Sequence, residues 1–313
     1  MADAFADLTE ADLRERFEQA DYVADDELTT TVYLALQMGK PLLVEGEPGA
    51  GKTELGKVLA EGFDTDLVRL QCYEGLAAEH ALYEWNYTKQ LLAVQSGDGA
   101  ADAAEPTVGA DGAAESVFSD EYLFERPLLE ALRHDGPTPP VLLIDEVDRA
   151  DEEFEAFLLE VLSDFQVTIP EYGTVAADQP PVVIITSNRT RALSDALKRR
   201  CLYLHVEPPT FEEEVEIVRR KVPQLDAAVA AEVCAIVQEL REEAFLKQPG
   251  VAETLDWARA VATLRNDDDS ALTPAEIEHT LGALLKEAED IERVDTDLLE
   301  RLREAASEAR ATT

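Results

Sequence analysis

The sequence predicts an α/β fold: a parallel sheet flanked by helices over residues 1–210, then a small all-α domain over residues 211–313. Three observations carry that prediction. The runs Val141-Leu142-Leu143-Ile144 and Val182-Val183-Ile184-Ile185 are aliphatic without polar alternation, as in strands covered on both faces. Segments of helical period separate such runs, the alternation that builds parallel sheets. Beyond Pro208-Pro209 the strand signals stop and only helical periodicity remains, which places the boundary near 208–211.

Taken in order, 8–20 and 27–39 read as helices, the second with Leu28, Val32, Leu34, Leu36 and Met38 partly on one face. Pro41-Leu42-Leu43-Val44 is an apolar strand, and Leu55, Val58 and Leu59 mark an amphipathic helix beyond the glycine-rich loop that follows. Residues 67–72 read as a strand and 78–95 as one helix carrying Leu82, Trp85, Tyr87 and Leu91. From about 96 to 116 the chain is Gly, Ala, Asp, Glu and Pro with almost nothing to bury, the composition of a disordered acidic insertion in a surface loop. It is either a partner tether or a tolerated loop. Order resumes at Tyr122-Leu123-Phe124, and Pro127 suits the first turn of a helix over 127–132.

After the strand at 141–144 a helix is expected over about 151–165. Val167 and Ile169 alternate around Thr168, and a turn near Tyr172-Gly173 makes 165–174 a hairpin. Strands at 182–186 and 201–206 complete the sheet. Val229, Val233, Ile236, Val237 and Leu240 then mark one helix face, with further helices near 252–265, 274–287 and 296–309.

Lys and Arg number 27 against 67 Asp and Glu, a formal net charge of −40 on 313 residues. That balance excludes a duplex-DNA or anionic-membrane binder without a local basic patch, and Lys198-Arg199-Arg200 is too short to be one. A hydrophobic content of 46% with clear periodicity argues for a folded chain. Residence in a salt-rich cytoplasm fits both facts, because at about 1 M salt the Debye length is roughly 3 Å and carboxylate repulsion is largely screened.

Cys72, Cys201 and Cys234 are odd in number, widely spaced and set in apolar surroundings, so they read as reduced core residues. His80, His134, His205 and His279 form no i,i+4 pair, which speaks against a structural zinc site. The N-terminal residues carry acids and lack the basic, apolar and small-residue regions of a targeting segment, and no apolar run reaches membrane-spanning length. A cytosolic protein without stable membrane insertion is expected.

The chemistry is concentrated in a few residues. Gly46-Glu47-Pro48-Gly49-Ala50-Gly51-Lys52-Thr53 has the spacing G-x-x-x-x-G-K-T between a strand and a helix. Glycines let backbone N–H groups wrap a polyphosphate, and the helix that follows points its positive end at the anion. Lys52 would neutralise the β- and γ-phosphates of a nucleoside triphosphate, and Thr53 would hold Mg²⁺. A glycine turn that happens to carry Lys-Thr is the plainer alternative.

Asp145-Glu146 ends an aliphatic strand, from which one acid can reach the Mg²⁺ shell while the next polarises an attacking water. As helix caps they stand too far ahead of the helix near Asp151. Asn188 ends another strand, where an amide can touch water and γ-phosphate or simply form a turn. Arg199-Arg200 lies at the start of the last strand, as a solvated pair capping the helix from Ser194 or as a functional cation.

The order GEPGAGKT, LLIDEVDRA, VVIITSNRTRALSDALKRRC resembles the AAA+ ATPases, and within them the MoxR family. The resemblance covers nearly the whole chain, from Tyr22-Val23-Ala24-Asp25 through the C-terminal helices. FQVTIPEYGTV at 165–175 is similar to the family's hairpin before the first sensor, and DEVDRA at 145–150 to its DEINRA-type second motif. LQCYEG at 70–75, ALYEWNY at 81–87 and VAETLDWARA at 251–260 resemble a branch associated with carbon monoxide dehydrogenase maturation.

The resemblance implies a P-loop parallel-sheet domain with an all-α lid, ATP and Mg²⁺ as cofactors, and phosphate contacts from 46–53. It implies Thr53 and Asp145 at the metal, Glu146 as catalytic base, Asn188 as first sensor and Arg200 as an arginine finger acting on the neighbouring subunit. Many relatives open a lid helix with a second-sensor arginine in a Ser-Pro-Arg-like segment, where this chain has Ala252-Glu253-Thr254. Arg259, further along, is the substitute, or else a solvated arginine. Tyr22 and Val23 line the adenine pocket or pack in the core. A homo-hexameric ring, a partner with a von Willebrand factor A domain and a protein client are likewise implied, with no nucleic acid. Small-molecule kinase chemistry and a nucleotide switch with negligible turnover remain as other readings; Glu146 beside Asp145 argues against the first, since a kinase must keep activated water out.

Overall fold

The computed structural model describes residues 4–96, 118–265 and 270–312, with side chains for all of these but 93–96. Apart from Ser96, the expected acidic insertion lies outside the described residues. After helices α1 (Glu10–Gln19) and α2 (Asp26–Met38), strand β1 (Leu42–Gly46) enters the loop that ends in α3 (Lys52–Gly62). The chain continues through β2 (Leu67–Gln71), α4 (Ala78–Leu82), β3 (Tyr83–Trp85), α5 (Tyr87–Ser96), β4 (Leu123–Glu125), α6 (Pro127–Arg133) and β5 (Val141–Asp145). Then come α7 (Glu152–Asp164), the hairpin β6 (Gln166–Ile169) and β7 (Gly173–Ala176), β8 (Val182–Ser187), α8 (Asp195–Arg200) and β9 (Leu202–Val206). The rest is helical: α9 (Phe211–Lys221), α10 (Ala227–Arg241), α11 (Val251–Arg265), α12 (Pro274–Leu284), α13 (Ala288–Glu292) and α14 (Thr296–Thr312).

The α/β prediction holds. Five strands form one sheet in the order β2-β5-β8-β1-β9, and β5 runs parallel to both β2 and β8. Every residue of β5 is buried, as a strand covered on both faces requires. The non-consecutive order needs crossovers, which the intervening helices supply.

Local signals set the helix ends. Thr9 with Asp12, Thr210 with Glu213 and Thr273 with Glu276 form reciprocal capping boxes that start α1, α9 and α12. Asp151 caps α7 through the amide of Phe154, and the acids Glu152, Glu153 and Glu155 in its first turn suit the positive helix end. On α7, Phe154, Leu158, Val161 and Leu162 recur at helical spacing and are buried. On α2 the buried residues are Leu28, Thr29, Val32, Ala35 and Leu36, whereas Leu34 and Met38 face out.

One expected element is wrong. The single helix over 78–95 is two short helices separated by β3, which pairs antiparallel with β4 through Tyr83↔Glu125, Glu84↔Phe124 and Trp85↔Leu123. Trp85 packs edge-on against Tyr83 and Phe118, and Asn86 restarts the helix by accepting the amide of Lys89. Leu82 and Trp85 are buried, while Tyr87 and Leu91 are exposed. The structure also adds α9 and α13 to the expected helices.

Two compact units divide the chain. One comprises Met1–Leu8, Thr31–Leu43 and Phe63–Tyr203, with a core drawn from the sheet, α6 and α7 around Leu128, Leu143, Ile144 and Phe154. The other comprises Thr9–Thr30, Val44–Gly62 and Leu204–Thr313, and its helical core surrounds Trp257, whose indole N–H donates to Thr280 Oγ1 at 2.7 Å. The face read from the sequence on α10 (Val229, Val233, Ile236, Val237, Leu240) lies in that core. No helix among the described residues is long and apolar enough to cross a membrane.

Candidate functional site

The phosphate loop lies in the second unit, between β1 and α3. Gly49 and Gly51 hold φ of 84° and 85°, the left-handed region that L side chains avoid, so the glycines there are a backbone requirement. Gly46 answers a different demand: a Cβ on it would stand 2.2 Å from the carbonyl oxygen of Val206, so β9 passes too close for any side chain. Lys52 opens α3 and is buried, its Nζ donating to the carbonyls of Gly46 at 2.9 Å and Glu47 at 2.7 Å. The ammonium is thus folded back on the loop it would serve. Glu47, Pro48 and Gly49 are exposed, Ala50 and Thr53 half-buried.

A turn of the helical region touches this loop. Gly250, just ahead of α11, has its Cα where a Cβ on Gly49 would come within 3.1 Å. The turn is held from behind by Arg241, which donates to the carbonyl of Pro249 at 2.8 Å and bidentately to the fully buried Glu214 at 2.7 Å. Thr254 closes the network by donating to Glu214 at 2.7 Å. Arg259 sits further along α11, exposed and 3.3 Å from Asp256. At Gly49 the loop meets the start of this helix, at Gly250 and Val251.

That contact yields a prediction. Gly250 has no positive φ, so alanine suits its backbone, but the new Cβ would stand 3.0 Å from Gly49 Cα. Gly250→Ala should therefore shift the loop at a cost of about 1–3 kcal/mol and weaken triphosphate binding while α11 stays folded. Titration with a fluorescent ATP analogue beside a thermal melt checks it; an unchanged affinity would refute the coupling.

The acidic cluster lies in the first unit, at the C-terminal ends of β2, β5 and β8. Asp145 is buried, its Oδ1 accepting from Thr186 Oγ1 at 2.5 Å and its Oδ2 from Arg69 Nη2 at 2.5 Å. Glu146 follows in the left-handed region at φ 55°, ψ 49°, a conformation that costs a non-glycine residue about 1–3 kcal/mol and recurs at functional sites. Its amide donates to Thr186 Oγ1 at 2.9 Å. Its carboxylate accepts from Asn188 Nδ2 at 3.3 Å, Gln71 Nε2 at 3.1 Å and Arg149 Nη1 at 3.3 Å. The side chain keeps 32% exposure, so water reaches it.

Asp148, which sequence reasoning did not single out, anchors the end of β8 by accepting from the amides of Asn188 at 3.1 Å and Thr190 at 2.8 Å and from the Thr190 hydroxyl at 2.6 Å. Burial alone would raise its pKa; the bonds from Thr190 and Asn188 outweigh it and leave the carboxyl below its ordinary value. Beneath the cluster, burial first and then the charges of Asp145, Asp148 and Glu146 push the Cys72 thiol up to about 12, so it stays protonated. All three cysteines are free thiols, Cys72 and Cys234 buried and Cys201 half-buried, in keeping with their reading as core residues. Tyr22 packs 5.5 Å from Phe17, and burial, with Glu54 and Asp25, raises its hydroxyl pKa.

Arg200 is the last residue of α8, whose N-cap Ser194 accepts from the amide of Leu197. It is exposed. Nearby arginines are tied down: Arg189 to the hydroxyl of Tyr203, and Arg191 to the buried Glu155 and the carbonyl of Ala150.

The structure thus brings Asp145, Glu146 and Asn188 together and puts 46–53 on one loop, while Arg200 and Arg259 project from helices. Arg69, Gln71, Asp148, Thr186 and Gly250 are additions to the residues read from sequence. The chemistry of Asp145 and Thr53 fits Mg²⁺: a carboxylate and a hydroxyl are the hard oxygen donors that this ion takes together with phosphates.

The family profile of the AAA domain, dynein-related subfamily, matches residues 41–201, a span that takes in the loop and the acidic cluster alike. The denitrification regulatory protein NirQ of Stutzerimonas stutzeri is 25% identical over 240 residues, covering 74% of this chain and 73% of that protein. An uncharacterized protein of Staphylococcus aureus (strain NCTC 8325 / PS 47) is 28% identical over 234 residues, 72% of this chain and 77% of its own length. Among solved structures, a Thermotoga maritima RuvB mutant aligns at 17% identity over 88% of this chain and 70% of that chain, with a TM-score of 0.47.

Proposed function

We propose, since this chain belongs to the AAA domain family in its dynein-related subfamily and is an ATPase, that its hydrolysis of Mg-ATP drives a MoxR-type, chaperone-like machine. Copies of the chain assemble as a homo-hexameric ring that remodels or matures a protein client, in concert with a partner bearing a von Willebrand factor A domain. The work is done in a salt-rich cytoplasm. The likeness to a denitrification regulatory protein agrees with a regulatory role.

The observation that carries this reading is the Glu146–Asn188 pair beside the Thr186-held Asp145. Glu146 is strained into place, hydrogen-bonded and reachable by water, which suits a base that takes a proton from an attacking water. Asn188, which donates to that carboxylate, can orient the same water against the γ-phosphate. Lys52 would exchange the carbonyls of Gly46 and Glu47 for the β- and γ-phosphate oxygens, and the amides of 46–53 would cradle the chain of phosphates. Asp145 and Thr53 would hold Mg²⁺, which supplies charge neutralisation on the phosphates. Residues 1–210 serve as the nucleotide domain and 211–313 as the lid.

Phosphate release from ATP by purified protein in concentrated KCl tests the reading. Release should rise faster than linearly with protein concentration as rings form, and it should vanish with the fold on dialysis into dilute buffer, where about 10–30 Å of Debye length leaves a net charge of −40 unscreened. Absence of release at every protein concentration would end the proposal.

A further inference from the structure

Arg69 stands on β2, whose parallel register with β5 sets Gln71 level with Asp145. Its guanidinium takes one oxygen of that carboxylate from two sides, Nη2 at 2.5 Å and Nε at 3.2 Å, while Nη2 also donates to Gln71 Oε1 at 2.8 Å. The other oxygen of Asp145 is held by Thr186. Asp145 has a side chain only 4% exposed, whereas that of Arg69 is 49% exposed.

These facts describe an asymmetric pair. The carboxylate is fixed and nearly dry, where a charge left without a partner is costly. The arginine is the movable member, on a long stem with solvent at its back and a second polar partner in Gln71. Resting on the function proposed above, Asp145 would face two cations once a divalent ion is bound with the triphosphate. With little water between them those cations repel far more than in bulk solvent.

We infer that Arg69 is the resting counter-ion of Asp145 and releases it when a divalent cation is bound with the nucleotide, so that an internal competitor sets the metal affinity. The freed guanidinium keeps its tether at Gln71, whose amide donates to Glu146 at 3.1 Å. Arg69 is therefore a positioning residue, and its effect is read on the metal, not on turnover alone.

The test uses the full chain in concentrated KCl, saturated with adenylyl imidodiphosphate and titrated with Mn²⁺, the free ion being followed by electron paramagnetic resonance. Arg69→Met should bind Mn²⁺ roughly fivefold more tightly than the unaltered chain, the upper end for a part-exposed ion pair. Arg69→Lys keeps the charge but loses the planar fork and should lie between. Should Arg69→Met fold poorly, the lysine variant decides: tighter Mn²⁺ binding than in the unaltered chain supports the inference, equal or weaker binding overturns it. Unchanged or weaker binding by a folded Arg69→Met that still takes up the analogue overturns the inference alone. Failure of the unaltered chain to take up the analogue overturns the proposed function with it.

Discussion

Glu146→Gln should leave ATP bound and bring its hydrolysis to a near stop. The substitution preserves shape and changes one acceptor into a donor. Gln71 cannot turn over to meet it, because its own carbonyl oxygen is engaged by Arg69, so the new carbonyl must face Gln71. The new NH₂ then faces Asn188, whose amide can flip to accept it. Backbone strain at φ 55° is the same for either residue, and a side chain 32% exposed adds little to stability. The fold and the loop are thus spared, while the group able to take a proton from water is gone, a loss worth about 10²–10⁴ in rate. Single-turnover phosphate release, with filter binding of labelled ATP as control, reads both quantities. Turnover within a few-fold of the unaltered chain would remove Glu146 from its assigned role.

What the sequence reveals about such a site depends on how local the signal is. The phosphate loop is legible because one stretch carries strand, glycines, Lys52 and helix in fixed order, and the positive φ of Gly49 and Gly51 is what those glycines announce. Asp145 and Glu146 are legible as acids that interrupt an aliphatic strand at its end. Arg69 and Gln71 are not: two polar residues spaced i,i+2 share one strand face, as on any solvated edge, and only the register with β5 brings them to Asp145. Gly250 is equally silent, since its partner Gly49 is distant in sequence.

The split of 78–95 had a local clue and a remote cause. Asn86 is a preferred N-cap residue, and Tyr83 and Trp85 are aromatic as strands favour, but the pairing that decides the matter comes from Leu123–Glu125. Helix α9 carried its own announcement in Thr210 and Glu213 after Pro209, the two residues of a capping box. Patterned burial was legible, therefore, and long-range polar pairing was not.

Arg200→Ala and Lys52→Ala should each be nearly inactive alone, and a mixture of the two should hydrolyse ATP. The argument starts from where Arg200 stands. Leu197 anchors the short helix α8 in the core, Arg191 and Ser194 hold its approach through the buried Glu155, and the last turn with Lys198, Arg199 and Arg200 is exposed. Among the described residues the Arg200 side chain forms no hydrogen bond or ion pair, in a chain with 67 acids to 27 bases. A rigidly mounted cation of that kind can act outside its own subunit. If it enters the neighbour's site as a finger, its removal forfeits transition-state charge neutralisation worth about 10³–10⁵ in rate. Removing Lys52 disables the loop of the same subunit but leaves its Arg200 intact. In a ring of head-to-tail interfaces, equal mixing of the two variants joins an intact loop to an intact finger at about a quarter of the seams, which fixes the recovery expected per site. Recovery should follow the product of the two fractions and peak at equal proportions. A mixture that remains inactive at every ratio, at concentrations where light scattering shows rings, would place Arg200 outside the neighbour's chemistry.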